Sequence, residues 1–472
     1  MLKTKIVCTL GPASDDPDIL RGIIDGGMDV ARFNFSHGTH AEQLERVTLM
    51  RDTAAQSGVD IAAMMDTKGP EVRLGTFSGG AITLLQGQDF TLTTEPIDCD
   101  ETRASVSYSG MTRNVVPGTR ILIDDGLIAL DAVSVTDTEI KCTVINGGVV
   151  SGRKGINVPG VELGLPAVSE QDRLDLLFAV EHDFDFIAVS FVRKKDDISM
   201  VRRILDENGG TDIKLIAKIE SREGLENLAE IIAVSDGIMV ARGDLGVEIP
   251  VEEVPIVQKA MIQSCLDAGK PVITATQMLD SMQRNPRPTR AEATDIANAI
   301  YDGTSAIMLS GETASGLYPV ESVQTMVKIA ETAEKSIDYR QLFNAARNES
   351  SKSMTDAIGH ATCATAMDLG AAAIVAVTTG GYTASAISGF RPQTPIIAAT
   401  TSMRVMRQMR LHWGVTPYHA ERVDSTDELF EMAVNAAIGS KMALKGDLVV
   451  VTAGVPLGVS GTTNMLKVQK IE

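Results

Sequence analysis

Residues 214–220 read KLIAKIE and residues 237–243 read GIMVARG. Each begins as a run of Ile, Leu, Val, Met and Ala with no polar alternation, and each ends in charged or small polar residues. Six more runs share this texture: KIVCTL at 5–10, VARFNF at 30–35, IAAMMDT at 61–67, FIAVSF at 186–191, PVITATQ at 271–277 and AIMLSGET at 306–313. Continuous apolar runs of this length, separated by helix-like amphipathic segments such as 257–268, indicate parallel strands buried on both faces in β/α units. Eight of them predict an α/β fold built on a (β/α)8 TIM barrel.

Barrel enzymes place their chemistry at the C-terminal ends of the strands, where these runs turn polar. Arg32, Asn34 and Ser36 share one parity, as do Lys218 with Glu220, Thr274 with Thr276, and Ser310 with Glu312. Residues two apart on a strand point to one face, so these groups are expected to converge on a single mouth.

Two further regions have their own patterns. Residues 70–167 are rich in Thr, Val and Gly, with short alternating segments (AITLLQ, DFTLTT, RILIDD) and turns at 116–118 and 146–148, and read as an inserted all-β domain placed to act as a lid. The polar stretch NAARNESSKS at 344–353 reads as a boundary. Beyond it a helix from about Thr355, a strand at 373–378, a Gly-rich turn and helix from Gly380, and strands at 396–400 and 447–453 predict an open α/β domain. The expected layout is a discontinuous barrel (1–69 and 168–345), a lid (70–167) and a C-terminal regulatory domain (346–472).

Of 472 residues, 62 are acidic and 43 basic, a formal charge of −19. A nucleic-acid binder needs the opposite balance. No apolar stretch approaches the roughly 18 residues of a membrane span, and the N-terminus turns acidic before a signal-peptide core develops, so a cytoplasmic location is expected. The 5 cysteines are scattered without CxxC spacing and read as small apolar side chains.

The strongest constellation is Lys218 and Glu220 in AKIES with Asp244 in ARGDLG. Two carboxylates on adjacent strand ends beside a lysine suit Mg2+, which takes one or two carboxylates and fills its shell with water and substrate oxygens. The competing reading is a buried Lys–Glu–Asp salt network. In ARFNFSHG and MDTKGP, Arg32 offers a guanidinium fork for phosphate. Asn34, Ser36, Asp66 and Thr67 offer several oxygens and one charge, a set suited to a monovalent cation, against loop capping as the plainer role of Asn34 and Ser36. His37 reads as a hydrogen-bonded structural side chain. Thr276 offers a hydroxyl at a strand end that could bind substrate or relay a proton, and Ser310 and Glu312 stand at the end of the eighth strand, where barrels often bind phosphate or hold a supporting carboxylate. No GxxxxGK[ST] loop is present, which argues against a P-loop nucleotide site.

ARFNFSHG, MDTKGPEVR, KGINVPG, LPAVSEQD, AVSFVR, AKIES, MVARGDLGVE, TATQML, RPTRAEATDIANAI and SGETASGLYPV, in this order, resemble the pyruvate kinase family over nearly the whole chain. The resemblance implies phosphoryl transfer from phosphoenolpyruvate to ADP with Mg2+ and K+. It implies Glu220 and Asp244 as Mg2+ ligands, Lys218 as the group facing the transferring phosphoryl and the enolate, and Arg32, Gly243, Asp244 and Thr276 as substrate contacts. It further implies Asn34, Ser36, Asp66 and Thr67 as K+ ligands, and Asn34, His37, Arg73 and Lys154 on the nucleotide side. Glu71 stands where K+-dependent members carry Glu, while Leu74 stands where they usually carry Thr. A homotetramer is implied as well.

In members activated by fructose 1,6-bisphosphate, the first turn of the C-terminal domain carries Lys or Arg. Here Thr378, Thr379, Gly380, Gly381 and Thr383 surround Tyr382 with no basic residue; a helix N-terminus can still cradle one phosphate, which argues against a bisphosphate and leaves a sugar monophosphate, a nucleotide or no effector open. The loop 458–463 is a candidate to close over such an effector. Two other classes compete: a Mg2+-dependent barrel lyase acting next to a pyruvate enolate, which the insertion and the 34/36/66/67 set disfavour, and a non-catalytic relative, which the presence of Lys218, Glu220 and Asp244 disfavours.

Overall fold

The computed structural model describes residues 2–346, 353–457 and 463–472. Eight parallel strands close into a barrel: β1 (Lys5–Leu10), β2 (Val30–Asn34), β3 (Ala62–Asp66), β4 (Phe186–Val189), β5 (Lys214–Ile219), β6 (Gly237–Ala241), β7 (Val272–Ala275) and β8 (Ala306–Leu309). All eight apolar runs are strands. Most stop short of the end of the run, because the final residues bend into the loops of the mouth.

The barrel is a filled core. Val7, Val30, Met64, Ala188, Ile216, Met239, Ile273 and Met308, one from each strand, belong to a single buried cluster inside it. Two positions further along each strand the same inward face carries Thr9, Arg32, Asp66, Ser190, Lys218, Ala241, Ala275 and Ser310. The strand period of 2 thus lays a polar ring on an apolar layer, with two alanines leaving space on one side.

Between β3 and β4 the chain builds a seven-stranded sheet and a two-stranded ribbon. Its strands run from Val72–Arg73 to Gly155–Asn157, around a separate core of residues such as Phe90, Leu92, Ile121, Leu130 and Ile140. The chain leaves the barrel through Gly69, whose φ is +69° and where a Cβ would sit 2.8 Å from Ser190 Cβ; only glycine meets both conditions.

The C-terminal sheet has the order 415–419, 396–400, 373–377, 448–454, 463–470, parallel except for the last strand, which runs antiparallel. Two of these strands escape the sequence pattern. Val415–His419 contains Pro417 and lies on an edge, where a missing N–H is tolerated; Thr463–Lys470 lies on the other edge and is largely solvated. Of the expected boundary stretch, Asn344–Ala346 belongs to the helix Tyr339–Ala346, and 347–352 lie outside the described residues, as do 458–462 of the second loop. All five cysteines are buried and unpaired.

The C-terminal sheet domain packs on the N-terminal end of the barrel. Leu411 joins the apolar layer inside it. Around this plug, Arg407 Nε holds Asp185 Oδ1 at 2.9 Å, Arg404 and Arg407 both hold Asp183, and Lys5 Nζ donates to Val415 O at 2.7 Å.

Candidate active site

The polar ring is tightly connected. Arg32 donates from Nε to Asp66 Oδ2 at 2.7 Å and from Nη1 to Thr9 Oγ1 at 2.9 Å, which fixes the guanidinium. Lys218 Nζ lies 3.0 Å from Asp66 Oδ1 and 3.0 Å from Glu220 Oε1, and it donates to Ser190 Oγ at 2.7 Å. Ser190 in turn donates to Thr67 O at 2.6 Å, and its N–H donates to Thr67 Oγ1 at 3.1 Å. Phe191, whose φ is +54°, turns its N–H onto Glu220 Oε2 at 2.5 Å.

Burial alone would raise the Asp66 carboxyl, but Arg32 and Lys218 hold it below its ordinary range. Burial likewise opposes the Lys218 charge, yet Asp66 and Glu220 outweigh it and keep that pKa above the usual lysine value. Glu220 differs: burial pushes it up to about 7 against the pull of Lys218, and the charge of Asp244 adds to the rise. The Glu220–Asp244 side of the mouth is therefore short of positive charge. No group of three or more His, Cys, Asp or Glu that could hold a metal occurs among the described residues. Two carboxylates with a positive-charge deficit are what an oxygen-seeking divalent ion completed by water and substrate requires.

Asn34 and Asp66 are paired across β2 and β3, which brings Asn34, Ser36, Asp66 and Thr67 together. Asn34 Oδ1 accepts from Ser36 N at 3.0 Å, so the loop-capping role of Asn34 is met. His37 departs from expectation. The residue is exposed, and its hydrogen bonds among the described residues are made by the backbone, with the carbonyl accepting from Gln43 Nε2 at 2.9 Å. Arg73 and Lys154 sit on the inserted sheet domain, paired with Glu71 at 2.6 Å and Asp124 at 2.8 Å, and neither hydrogen-bonds to Asn34 or His37.

After β7 the chain enters a strained turn. Thr276 and Gln277 have φ of +66° and +55°, a conformation costing on the order of 1–3 kcal/mol per residue and unusual for β-branched threonine. Thr276 Oγ1 accepts from Gly243 N at 2.8 Å and donates to Ala275 O at 2.7 Å, which ties this turn to the start of the helix bearing Asp244. Thr274 does not share this mouth: its hydroxyl donates to Thr304 Oγ1 at 2.9 Å, just before β8, and parity fails because the backbone flips at Thr276. Glu312 is buried, with both oxygens on backbone N–H groups, Leu279 at 2.9 Å and Ser310 at 2.7 Å, and burial raises its pKa. It staples two loops, while Ser310 Oγ is buried without a partner among the described residues.

A cleft of about 230 Å³ opens between the inserted sheet domain and the barrel, reaching Asp244, Phe191, Glu71 and Asp125. A second cavity, of about 400 Å³, lies in the C-terminal domain and is lined by Thr378, Thr379, Thr383, Thr400, Thr401 and Arg422. Gly381, at φ +85°, starts the helix on its rim. Among the described residues the cation of this lining is Arg422, flanked by Glu421 and paired with Asp424 at 3.7 Å; it comes from beyond the strand Val415–His419, a contribution that local sequence around the Gly-rich turn could not reveal.

A family model described as the pyruvate kinase barrel domain matches residues 1–323, and one described as the pyruvate kinase alpha/beta domain matches residues 356–469. The chain belongs to the pyruvate kinase family. It is 50% identical to the pyruvate kinase of Clostridium acetobutylicum, with both chains covered end to end. It is also 50% identical to that of Geobacillus stearothermophilus, covering 99% of this chain and 80% of that one, and 48% identical to that of Clostridium perfringens, with both again fully covered. Membership makes the chain a phosphotransferase of glycolysis in a family that requires a divalent metal. Ser190 and Phe191 were not singled out by sequence reasoning. The available signal was a serine closing an otherwise apolar strand.

Proposed function

We propose that the barrel mouth transfers the phosphoryl group of phosphoenolpyruvate to ADP, giving pyruvate and ATP. The observation that carries this reading is the placement of Lys218 between Asp66 and Glu220, beside Arg32 and within reach of the Asp244 charge. Phosphoryl transfer passes through a loose transition state that is stabilised mainly by fixed positive charge. Lys218, buried and kept protonated, supplies such a charge to the phosphoryl and then to the enolate oxygen. Arg32 binds phosphate through the guanidinium edge not used on Asp66 and Thr9.

Glu220 and Asp244 would hold Mg2+, and Asn34, Ser36, Asp66 and Thr67 would hold K+. When bound, these ions would neutralise phosphate charge. Gly243, Asp244 and Thr276 bind the three-carbon acid, and Thr276, or a water it holds, delivers the proton to the enolate carbon, with Ser310 and Glu312 behind it. Asn34, His37, Arg73 and Lys154 take the nucleotide when the inserted domain (70–167) closes as a lid on the barrel (1–69 and 168–345). In the regulatory domain (346–472), Thr378, Thr379, Gly380, Gly381 and Thr383 with Arg422 suit an effector presenting one phosphate. The working form is a cytoplasmic homotetramer. No helix among the described residues is long and apolar enough to cross a membrane.

The test is a coupled assay for pyruvate from phosphoenolpyruvate and ADP with Mg2+. Turnover is expected, falling roughly tenfold or more when K+ is replaced by a tetraalkylammonium ion. A chain without pyruvate formation in either salt would refute the reading, and equal rates in both would remove the K+ site alone.

A further inference from the structure

Arg242 precedes the substrate-facing pair Gly243–Asp244, and its side chain turns away from the polar ring. Its Nη1 donates to Asp295 Oδ1 at 2.8 Å and Oδ2 at 2.7 Å. From that anchor, Nε reaches Ala275 O at 3.1 Å and Nη2 reaches Thr276 O at 2.6 Å. These two carbonyls flank the point where the backbone enters the left-handed region. The Arg242 side chain is only 10% exposed, although Asp295 is 36% exposed, so the two bonds to the carbonyls are made with little competition from water.

We propose that Arg242, oriented by Asp295, is a positioning residue that holds Thr276 in its left-handed conformation and so fixes the Thr276 hydroxyl on the N–H of Gly243. A threonine leaves this conformation readily unless its neighbours over-determine it. Here two consecutive carbonyls are turned to one side and received by one planar guanidinium, whose fork matches them while its far edge stays on Asp295. An ammonium carries the same charge but cannot span the carboxylate and both carbonyls. The role is therefore geometric, and the charge alone does not fulfil it. The inference rests on the reading above, in which Thr276 serves the enolate, and adds to it the device that keeps Thr276 in place.

The experiment uses the full chain and three changes: Arg242→Lys, Asp295→Asn and Thr276→Ala. Two rates are measured: pyruvate formation, and uptake of solvent deuterium into the methyl group of pyruvate in the presence of ATP and Mg2+. Arg242→Lys is expected to lower kcat and the exchange rate roughly 100-fold, the cost typical of a misplaced catalytic group, while the KM for ADP stays within about twofold. Combining Arg242→Lys with Thr276→Ala is expected to lower exchange no more than about threefold below Thr276→Ala alone, because the two act through one hydroxyl. Asp295→Asn should give a smaller loss with the same non-additivity.

Multiplicative losses in the double variant, or a KM for ADP that rises with the loss of kcat, would overturn the proposal in favour of general loosening. A crystal structure of Arg242→Lys decides independently of activity: Thr276 is expected to leave its positive φ, and its retention there with the hydroxyl still on Gly243 would equally overturn the clamp. If Arg242→Lys fails to fold, the same cycle and structure with Asp295→Asn decide. Failure of the wild-type chain to form pyruvate would count against the function, whereas the structural result would still judge the clamp.

Discussion

At the N-terminal end of the barrel, Asp183 and Asp185 are met by Arg404 and Arg407 from another domain; at the C-terminal end, Glu220 and Asp244 are met only in part, by Lys218 of the barrel itself. Both ends set carboxylates against cations around the same barrel, the N-terminal end borrowing its arginines from the C-terminal domain and the C-terminal end using a lysine of its own strand. One end is sealed, with Leu411 over the apolar layer, and the other opens on a cleft. The proposed chemistry is assigned to the end whose charge is incompletely balanced, an imbalance that a metal ion and a phosphorylated substrate would complete.

The sharpest way to break this contrast is to remove the cation at each end. Lys218→Met is expected to lower kcat by about 10³-fold with the thermal midpoint within about 3 °C of wild type; a fully active variant would overturn the assignment of the open end. Arg407→Ala should do the reverse. It leaves Asp185, fully buried just before β4, with the Ala63 N–H but without its ion-pair partner, and the expected cost is about 3 kcal/mol in urea denaturation with kcat at 25 °C nearly unchanged. A large loss of kcat with intact stability would show that the sealed end takes part in turnover.

The smallest effect is set by pH. Burial, reinforced by Lys214, Arg391 and Lys5, pushes His412 at the sealed end down to about 4 from 6.5. A histidine depressed in the folded state contributes stability that is fully present above its unfolded pKa and is lost as pH falls from about 6.5 toward 4. The shift corresponds to at most about 3 kcal/mol, less in proportion to the residual exposure of the ring. His412→Asn should therefore flatten the difference in denaturation midpoint between pH 7 and pH 4.5; an unchanged slope would show that His412 is not titrating in the fold.

The strands of the barrel were legible because burial on both faces leaves an unmistakable apolar run. Lys218, Glu220 and Asp66 were legible because charge at the end of such a run has few explanations. The flip at Thr276 was not, since a left-handed threonine is held by Arg242 and Asp295 from other elements and nothing local to TATQ announces it. Parity therefore misplaced Thr274. Likewise Ser190 owes its importance to neighbours on β3 and β5, and Arg422 reaches its cavity from across the C-terminal sheet. His37 reads in the sequence as a hydrogen-bonded structural side chain, yet the residue is exposed and its carbonyl is what Gln43 holds. Sequence pattern reports what a residue does for its own element and is silent about bonds made between elements.

The insertion between β3 and β4 also bears on how the molecule comes into being. Asp66 pairs with Ala188, and Lys5 pairs with Ala306, so neither seam of the barrel can close until a long stretch of chain has emerged from the ribosome. The inserted sheets have their own core and are complete before either seam is. During synthesis they shorten the effective loop that β3 and β4 must close, because a folded insert presents its two ends side by side where an open coil would scatter them. The first strand waits longest, and Leu411 arrives later still. The apolar layer it covers cannot be capped until almost nine-tenths of the chain has been made.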